Sequence, residues 1–444
     1  MTGQNDLTQG SIWRQLVRYS IPLVISSVLQ AMYGMVDMIV AGHYIGSVGL
    51  SAINNASSVM NMITNIIIGL ATGGNVLIAQ YFGAMDHENC RRSSVTLFCS
   101  GLISGAAVAL LFFLFSRQIL SLLRAPALEE ATSYLRICSI GIFFIMGYNT
   151  TTAALRAIGN SRAPLICIAS TCCLNIVLDL VFVGPAGMGV QGAALATTIS
   201  QGVSFLISLV FVLRSPDLFG IRFGSLRIYR DRLRLILKLG LPCAVQMSVA
   251  AISWLSVTYI VNSYGVAVSA GNGVTAKLRD FATLFIVAMS NGSAGMIAQC
   301  IGAEDYVRAR KVLYTAMRIS VGMSLVIVAV MELFAPQFVS LFTTDPEAAA
   351  AAIRNLRIEI LGQLFYAVFM LYHSLGVGSG HTWYVFFSSF VNCIVARVVL
   401  GFSFNALWGL DGLYWACMIA PFTSVPIGIW FDRSNRWKNT LIKE

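Results

Sequence analysis

The sequence IAQYFGA at residues 78–84 recurs as IAQCIGA at residues 297–303, an offset of 219 positions. Two further pairs of segments share an offset of 220: IPL at 21–23 with LPC at 241–243, and GVQG at 189–192 with GLDG at 409–412. Three matches at a nearly constant offset indicate that the chain consists of two related halves.

Around these motifs the chain is built from twelve apolar runs, the first at 13–42 and the last at 412–431. Hydrophobic residues make up 57% and charged residues 11% of the sequence, and its mean hydropathy is +0.77; soluble proteins carry about 25% charged residues. Each run can cross a hydrocarbon core about 30 Å thick as a helix. We therefore predict an all-α integral membrane protein with twelve transmembrane helices in two pseudo-symmetric six-helix lobes.

A basic segment interrupted by Pro216 and Gly220 separates the halves. It predicts four regions: an N-terminal lobe at 1–213, a cytoplasmic linker at 214–235, a C-terminal lobe at 236–432 and a cytoplasmic tail at 433–444. Lysine and arginine concentrate in this linker, near both termini and in the loops on the same side, which predicts that both termini are cytoplasmic. The net charge of +10 thus reflects membrane topology, and we expect no nucleic-acid partner.

Two aspartates lie inside apolar runs: Asp37 in the first, and Asp179 in the fifth, where Asn175 precedes it by one helical turn. A carboxylate at the centre of a membrane costs at least about 2.5 kcal/mol by insertion scales. Burial favours the neutral, protonated form. A carboxyl that gains and loses a proton as its access changes can couple an ion gradient to transport, whereas a hydrogen bond to a neighbouring helix would be a purely structural role.

Other polar residues are candidates for a substrate cavity. Asn54, Asn61 and Asn65 form one stripe on the second helix with Ser58, which lines either a cavity or a contact between helices. Tyr33 is accompanied by methionines and aromatic residues that suit an adaptable drug site or ordinary packing: Met32, Met35, Met38, Met60, Met62, Trp254 and Tyr366.

Charged residues also occur in the second half. Lys277 and Asp280 in the eighth helix are three residues apart and could form an intramembrane ion pair that stiffens the lobe or contacts a charged substrate. Glu359 is expected at the outer membrane edge near Arg357.

Several motifs resemble those of the multidrug and toxic compound extrusion (MATE) transporters, and the resemblance covers nearly the full length of the chain. They are VDMIVAG at 36–42, the two Ala-Gln-x-x-Gly-Ala helix ends, the basic residues that follow each end, and LRAIGNS at 155–161, which resembles the family's Leu-Arg-Gly-x-Gly-Asp. The resemblance implies a cation-coupled antiporter that exports organic, cationic or amphipathic compounds by alternating access from the bacterial cytoplasmic membrane, acting as a monomer.

The spacing Asn175-x-x-x-Asp179 is similar to that of the DinF-type branch, in which a polar cluster of the first lobe is implicated in cation coupling. The resemblance therefore implies that Asp37, Asn175, Asp179 and Thr197 couple transport to H⁺ or bind Na⁺. Gln201, one turn after Thr197, is added as a cavity residue by its spacing. The acidic residue that NorM-type members carry in helix 7 has no counterpart at 252–264.

Other classes of function have different sequence requirements. A lipid or lipid-linked oligosaccharide flippase of the same superfamily is the alternative, although it should show a basic cavity for phosphate groups. An intramembrane enzyme would need clustered acids such as Asp-Asp-x-x-Asp, and the sequence has none. It also lacks a phosphate-binding loop for ATP. We expect no catalytic residues and no cofactor besides the coupling ion.

Overall fold

The computed structural model describes residues 6–122, 127–215, 219–221 and 226–439, and within them no β-strand occurs. The α-helices in chain order are α1 (Ile12–Tyr44), α2 (Gly46–Gly83), α3 (His87–Leu122), α4 (Leu128–Ala157), α5 (Arg162–Val183), α6 (Gly189–Leu213), α7 (Arg230–Asn262), α8 (Val266–Gly302), α9 (Tyr306–Leu333), α10 (Ala335–Ser340), α11 (Pro346–Glu359), α12 (Gly362–Gly378), α13 (Thr382–Phe390) and α14 (Gly401–Arg433). A π-helix (Val391–Leu400) joins α13 to α14, and a short 3₁₀ helix (Arg436–Lys438) follows α14.

These helices supply the twelve predicted membrane spans. In the described part of the chain, ten helices are long and apolar enough to cross a membrane, and α11 with α12, bent by 48°, makes an eleventh span. The span Thr382–Arg433 is continuous over 52 residues, which at about 1.5 Å per residue is more than twice the thickness of a hydrocarbon core. It is broken at Gly409, whose backbone is not helical (φ 63°, ψ −148°), and therefore counts as two. The predicted fold class is confirmed.

The backbone repeats the duplication seen in the sequence. Gly189 and Gly409, from the matched GVQG and GLDG motifs, both have positive φ, at 57° and 63°. Glycine adopts this conformation without steric penalty. Met85 and Glu304, which follow the matched Ala-Gln-x-x-Gly-Ala motifs, also have positive φ, at 57° and 59°. Matched sequence positions thus have matched backbone conformations in both halves.

The chain forms two compact units. Among the described residues, unit 1 contains Asp6 and Ile25–Ala244, and unit 2 contains Leu7–Val24 and the chain from Val245 onward. The predicted lobes followed the sequence halves, whereas the compact units exchange the first parts of α1 and α7. Residues 216–218 and 222–225 of the predicted linker, with Pro216 among them, and 440–444 of the predicted tail lie outside the described residues.

Both exchanges occur just after a proline. Pro22 lies inside α1 and Pro242 inside α7, and the chain passes from one unit to the other two residues after each of them. Proline lacks the N–H that a helix interior needs and clashes with the preceding turn. The two matched prolines therefore mark the positions along α1 and α7 at which the chain passes between the two units.

Close backbone approach holds the first part of α7 in unit 1. A Cβ atom added to Gly73 of α2 would lie 2.4 Å from the backbone nitrogen of Gly240 and 2.5 Å from the carbonyl oxygen of Ile236. One turn away, Gly69 is in similar contact with Ala244. Small residues allow helices in a membrane to approach to this distance, so the glycines of α2 allow the first part of α7 to pack closely against it.

The corresponding segment in unit 2 is the N-terminal stretch before α1. The N–H of Leu7 donates to Oε1 of Gln299 at 3.2 Å, and Leu7 is buried. The Arg308 guanidinium donates to the carbonyl oxygens of Leu7, Gln9 and Gly10 at 3.0–3.2 Å. The stretch thus enters unit 2 through the glutamine of the second IAQ motif and through the first turn of α9.

Candidate cation-coupling site

Four helices of unit 1 each present two polar side chains spaced by one helical turn, which places both on the same face. The pairs are Tyr33 and Asp37 on α1, Tyr134 and Cys138 on α4, Asn175 and Asp179 on α5, and Thr197 and Gln201 on α6. Tyr33 interacts with members on all four helices: Asp37, Cys138, Asp179 and Thr197. We call this group, without Gln201, the polar cluster.

The two carboxyl groups of the polar cluster lie within interaction range of each other, one from α1 and one from α5. Asp179 is 1% exposed, and apart from the Asp37 carboxyl its oxygens have no hydrogen-bond partner among the described residues. Asp37 is half-buried. No lysine, arginine or histidine of the described chain interacts with either carboxyl. The structure therefore brings together the two aspartates that the sequence singles out, without a cationic side chain between them.

Two neutral members add further unsatisfied polar atoms. Asn175 is 0% exposed, and its amide oxygen and nitrogen have no hydrogen-bond partner in the described residues. The hydroxyl of the buried Thr197 has no partner there apart from the Tyr33 side chain. Buried polar groups in proteins are nearly always hydrogen-bonded. A concentration of carboxyl, amide and hydroxyl groups with so few partners on α5 and α6 therefore marks a candidate site for an exchangeable ligand.

The residues predicted for a substrate cavity are spread more widely. Gln201 lies against α4, because a Cβ added to Gly141 would be 2.2 Å from its Oε1 atom. Asn54, Asn61 and Asn65 are exposed along α2. Of the five methionines, Met60 is buried in the unit 1 core, whereas the other four are exposed: Met32, Met35, Met38 and Met62. The substrate role of these residues stays a prediction.

In unit 2 Lys277 and Asp280 form no direct ion pair, although the two charges are close enough to interact electrostatically. Both side chains are exposed, and Asp280 instead lies 4.0 Å from Arg279. Glu359 does not pair with its sequence neighbour Arg357, which lies 3.9 Å from Glu332 instead; the position of Glu359 at the outer membrane edge stays a prediction. Glu359 is buried and accepts a hydrogen bond from Arg279 at 2.6 Å. Arg279 of α8 therefore supplies the counter-charge of Glu359.

The sequence interpretation missed Tyr134 and Cys138 of α4. Both are buried, and both interact electrostatically with Asp37. Tyrosine and cysteine are ordinary residues of an apolar helix, so their composition gave no signal. The signal that could have found them is the spacing, since the same one-turn separation of polar groups recurs on α1, α4, α5 and α6.

A family model described as MatE matches residues 22–181 and 242–403, one segment in each half of the sequence. The chain belongs to the MatE family. It is therefore a multi-pass membrane transporter and not an enzyme. The DinF-type branch stays a prediction.

Curated relatives and solved structures agree with the MatE assignment. The chain is 28% identical over 438 residues to "Probable multidrug resistance protein YpnP" of Bacillus subtilis (strain 168), covering 98% of this chain and 97% of that protein. It is 25% identical over 422 residues to "Multidrug export protein MepA" of Staphylococcus saprophyticus, covering 93% and 91%. An outward-facing multidrug resistance MATE transporter of the MOP superfamily has a similar fold, with a TM-score of 0.92, 24% identity and 98% of each chain covered.

Proposed function

We propose that this MatE protein is a cation-coupled antiporter that exports organic, cationic or amphipathic compounds by alternating access, driven by H⁺ or Na⁺ at Asp37, Asn175, Asp179 and Thr197. Its relatives in Bacillus and Staphylococcus are described as multidrug resistance and export proteins. The observation that carries the proposal is the Asp37–Asp179 pair, since two adjacent carboxyls without a basic partner are stable in a membrane only when a proton or a metal cation compensates their charge.

The chemistry of the polar cluster suits both ions. Two carboxyls close together share a proton readily, because both cannot ionise at low cost. Na⁺ is a hard cation that prefers oxygen ligands, and Asn175 and Thr197 offer an amide and a hydroxyl oxygen that, apart from the Tyr33 contact of Thr197, have no partners in the described chain. Among the described residues, no three His, Cys, Asp or Glu side chains form a metal-binding group, so a Na⁺ site would depend on these neutral oxygens.

Coupling follows from exchange at this site. A cation that enters from outside neutralises the carboxyl pair, and a transition that exposes the cluster to the cytoplasm releases it. A transmembrane potential of about 100 mV contributes about 2.3 kcal/mol for each charge moved, which supports roughly a fiftyfold gradient of exported compound. Binding of cation and substrate in alternation would convert the ion gradient into export.

Ethidium transport into proteoliposomes tests the proposal, with a proton gradient and a sodium gradient imposed separately. We expect Asp37→Asn and Asp179→Asn each to reduce gradient-driven transport at least tenfold, because an amide neither exchanges a proton nor carries the charge. Glu130→Gln is the control, since Glu130 is exposed in the first turn of α4. Retention of driven transport in both aspartate variants would disprove the assignment, and the gradient that drives the wild type identifies the ion.

The flippase alternative gains no support from the relatives and solved structures described above, which are multidrug transporters. The polar cluster is also acidic, whereas a site for lipid phosphate groups would be basic.

A further inference from the structure

A second group of buried charges lies in unit 2. Its centre is Trp254 of α7. The guanidinium carbon of Arg279 on α8 is 3.7 Å from the centre of the Trp254 ring, and that of Arg397 in the π-helix is 4.1 Å from it. Glu359, at the end of α11, is the acidic member. We call these four residues the arginine cluster.

The charges of the arginine cluster do not balance. Glu359 is bound to Arg279, with 2.6 Å between Oε2 and Nη1. Arg397 is only 5% exposed, yet it forms no ion pair with any described carboxylate. Two arginines against one glutamate leave one positive charge inside a membrane-spanning segment.

Nearby charged side chains do not remove this excess. Asp280 is exposed and lies 4.0 Å from Arg279. Its negative charge therefore acts on the arginine that Glu359 already neutralises, and not on Arg397. Lys277 is also exposed and positive. Among these charged side chains, the positive excess therefore remains at Arg397.

The unused hydrogen-bonding groups of Arg397 define what it could bind. Its Nη1 donates to the hydroxyl of Ser253 at 3.3 Å and approaches the sulfur of Cys393 at 3.8 Å. Its Nε is buried and has no partner among the described residues, and its Nη2 forms no hydrogen bond with a described residue. Nε and Nη2 form one edge of the guanidinium plane, and such an edge binds both oxygens of a carboxylate in parallel.

Its surroundings hold this edge in place. The guanidinium carbon of Arg397 lies 4.1 Å over the centre of the Trp254 ring, and a guanidinium that packs on a ring face keeps its in-plane N–H groups available. Arg397 is in the last turn of a π-helix, a backbone form that occurs often at functional sites. Trp254 and the neighbouring Tyr366 are each half-buried, so aromatic surface lies beside the arginine. An arginine cannot neutralise itself by losing a proton, and a buried unpaired charge is strongly unfavourable.

We propose that Arg397 binds the carboxylate group of an amphipathic aromatic compound and makes zwitterionic or anionic organic acids preferred ligands of unit 2. The proposal rests on the function proposed above only in treating such acids as exported compounds. It assigns to the second unit a polarity opposite to that of the polar cluster. Unit 1 provides carboxyls for the coupling cation, and unit 2 provides a guanidinium for the acid.

The test compares two probes that differ in one group: rhodamine B, which carries a carboxylate, and its ethyl ester, which does not. Fluorescence anisotropy measures their affinity for the full-length protein in nanodiscs, with protein-free nanodiscs as the blank. We expect wild type to bind the acid at least tenfold more tightly than the ester, a difference of about 1.4 kcal/mol. Arg397→Gln should remove this preference by weakening acid binding. Arg397→Lys keeps the charge but not the planar edge and should retain part of it.

Arg318→Gln is the matched control, because Arg318 is an exposed arginine in α9 of the same unit, and it should keep the full preference. Equal affinity of wild type for the two probes would overturn the proposal even if no Arg397 variant folds. So would a preference that survives in Arg397→Gln. Asp179→Asn should leave the preference intact while abolishing driven transport, so failure at one site is distinguished from failure at the other.

Discussion

The buried ion pair between Arg279 and Glu359 allows a quantitative prediction for Glu359→Gln. The pair is short, at 2.6 Å, and the Glu359 side chain is 1% exposed. The amide removes the counter-charge and leaves Arg279 with Asp280 alone, at 4.0 Å and largely exposed. Removing one partner of a buried pair costs about 3–5 kcal/mol, because the other charge stays buried without compensation.

The same unit contains a control pair of the same residue types. Arg357 and Glu332 are 3.9 Å apart, and both side chains are partly exposed. Exposed pairs contribute about 0–1 kcal/mol. Glu332→Gln should therefore change the free energy of unfolding little, and Glu359→Gln should lower it by about 2 kcal/mol or more beyond the control.

Denaturant unfolding in detergent micelles measures both variants, together with the double variant Arg279→Met with Glu359→Gln. The double variant should be more stable than Glu359→Gln, because no unpaired charge remains at Arg279. Recovery should be incomplete, since Arg279 also stacks on Trp254. Equal losses for Glu359→Gln and Glu332→Gln would refute the reasoning, as would a double variant less stable than the single.

Two further predictions concern the contacts that hold the first part of α7 and the N-terminal segment in place. Gly73→Ala should lower the yield of folded protein in size-exclusion chromatography, because the new Cβ would lie 2.4 Å from the Gly240 backbone and overpacking typically costs about 1–3 kcal/mol. Gly322→Ala is the control and should keep the wild-type yield, since no atom lies within 4 Å of its new Cβ. Equal yields for the two variants would contradict the close approach. Arg308→Gln should raise the rate of trypsin cleavage near the N-terminus, because Arg308 donates hydrogen bonds to three carbonyl oxygens there. Lys311→Gln, at an exposed neighbouring position, is the control and should leave the rate unchanged. An unchanged rate in Arg308→Gln would show that these hydrogen bonds do not hold the segment.

Much of the fold and part of the candidate site could be predicted from the sequence. The matched motifs fixed the duplication, and continuous apolar runs fixed the number of spans. Asp37 and Asp179 were identifiable because carboxyl groups are rare in apolar runs. The free-energy cost of placing them in a membrane indicates a functional role. Their proximity was not derivable from spacing, since it depends on how α1 and α5 pack. It was expected only from the family resemblance, and the structure brings the two together.

The errors have the opposite origin. The sequence places Glu359 beside Arg357, but its hydrogen-bond partner Arg279 lies 80 positions earlier in the chain. The local sequence does not identify Arg397 as a candidate, because a single arginine in an apolar run gives no indication of whether an acidic side chain faces it. Tyr134 and Cys138 were overlooked for the same reason. Side chains whose meaning depends on a partner from another helix are not readable from local pattern.

The exchange of helix beginnings after Pro22 and Pro242 bears on the origin of the chain. Neither half of the sequence encodes a complete unit, because each lacks an opening segment that the other half supplies. A half-length precursor with this packing would have left its own first helix unsatisfied. The two opening segments therefore make each half of the chain dependent on the other for a complete unit.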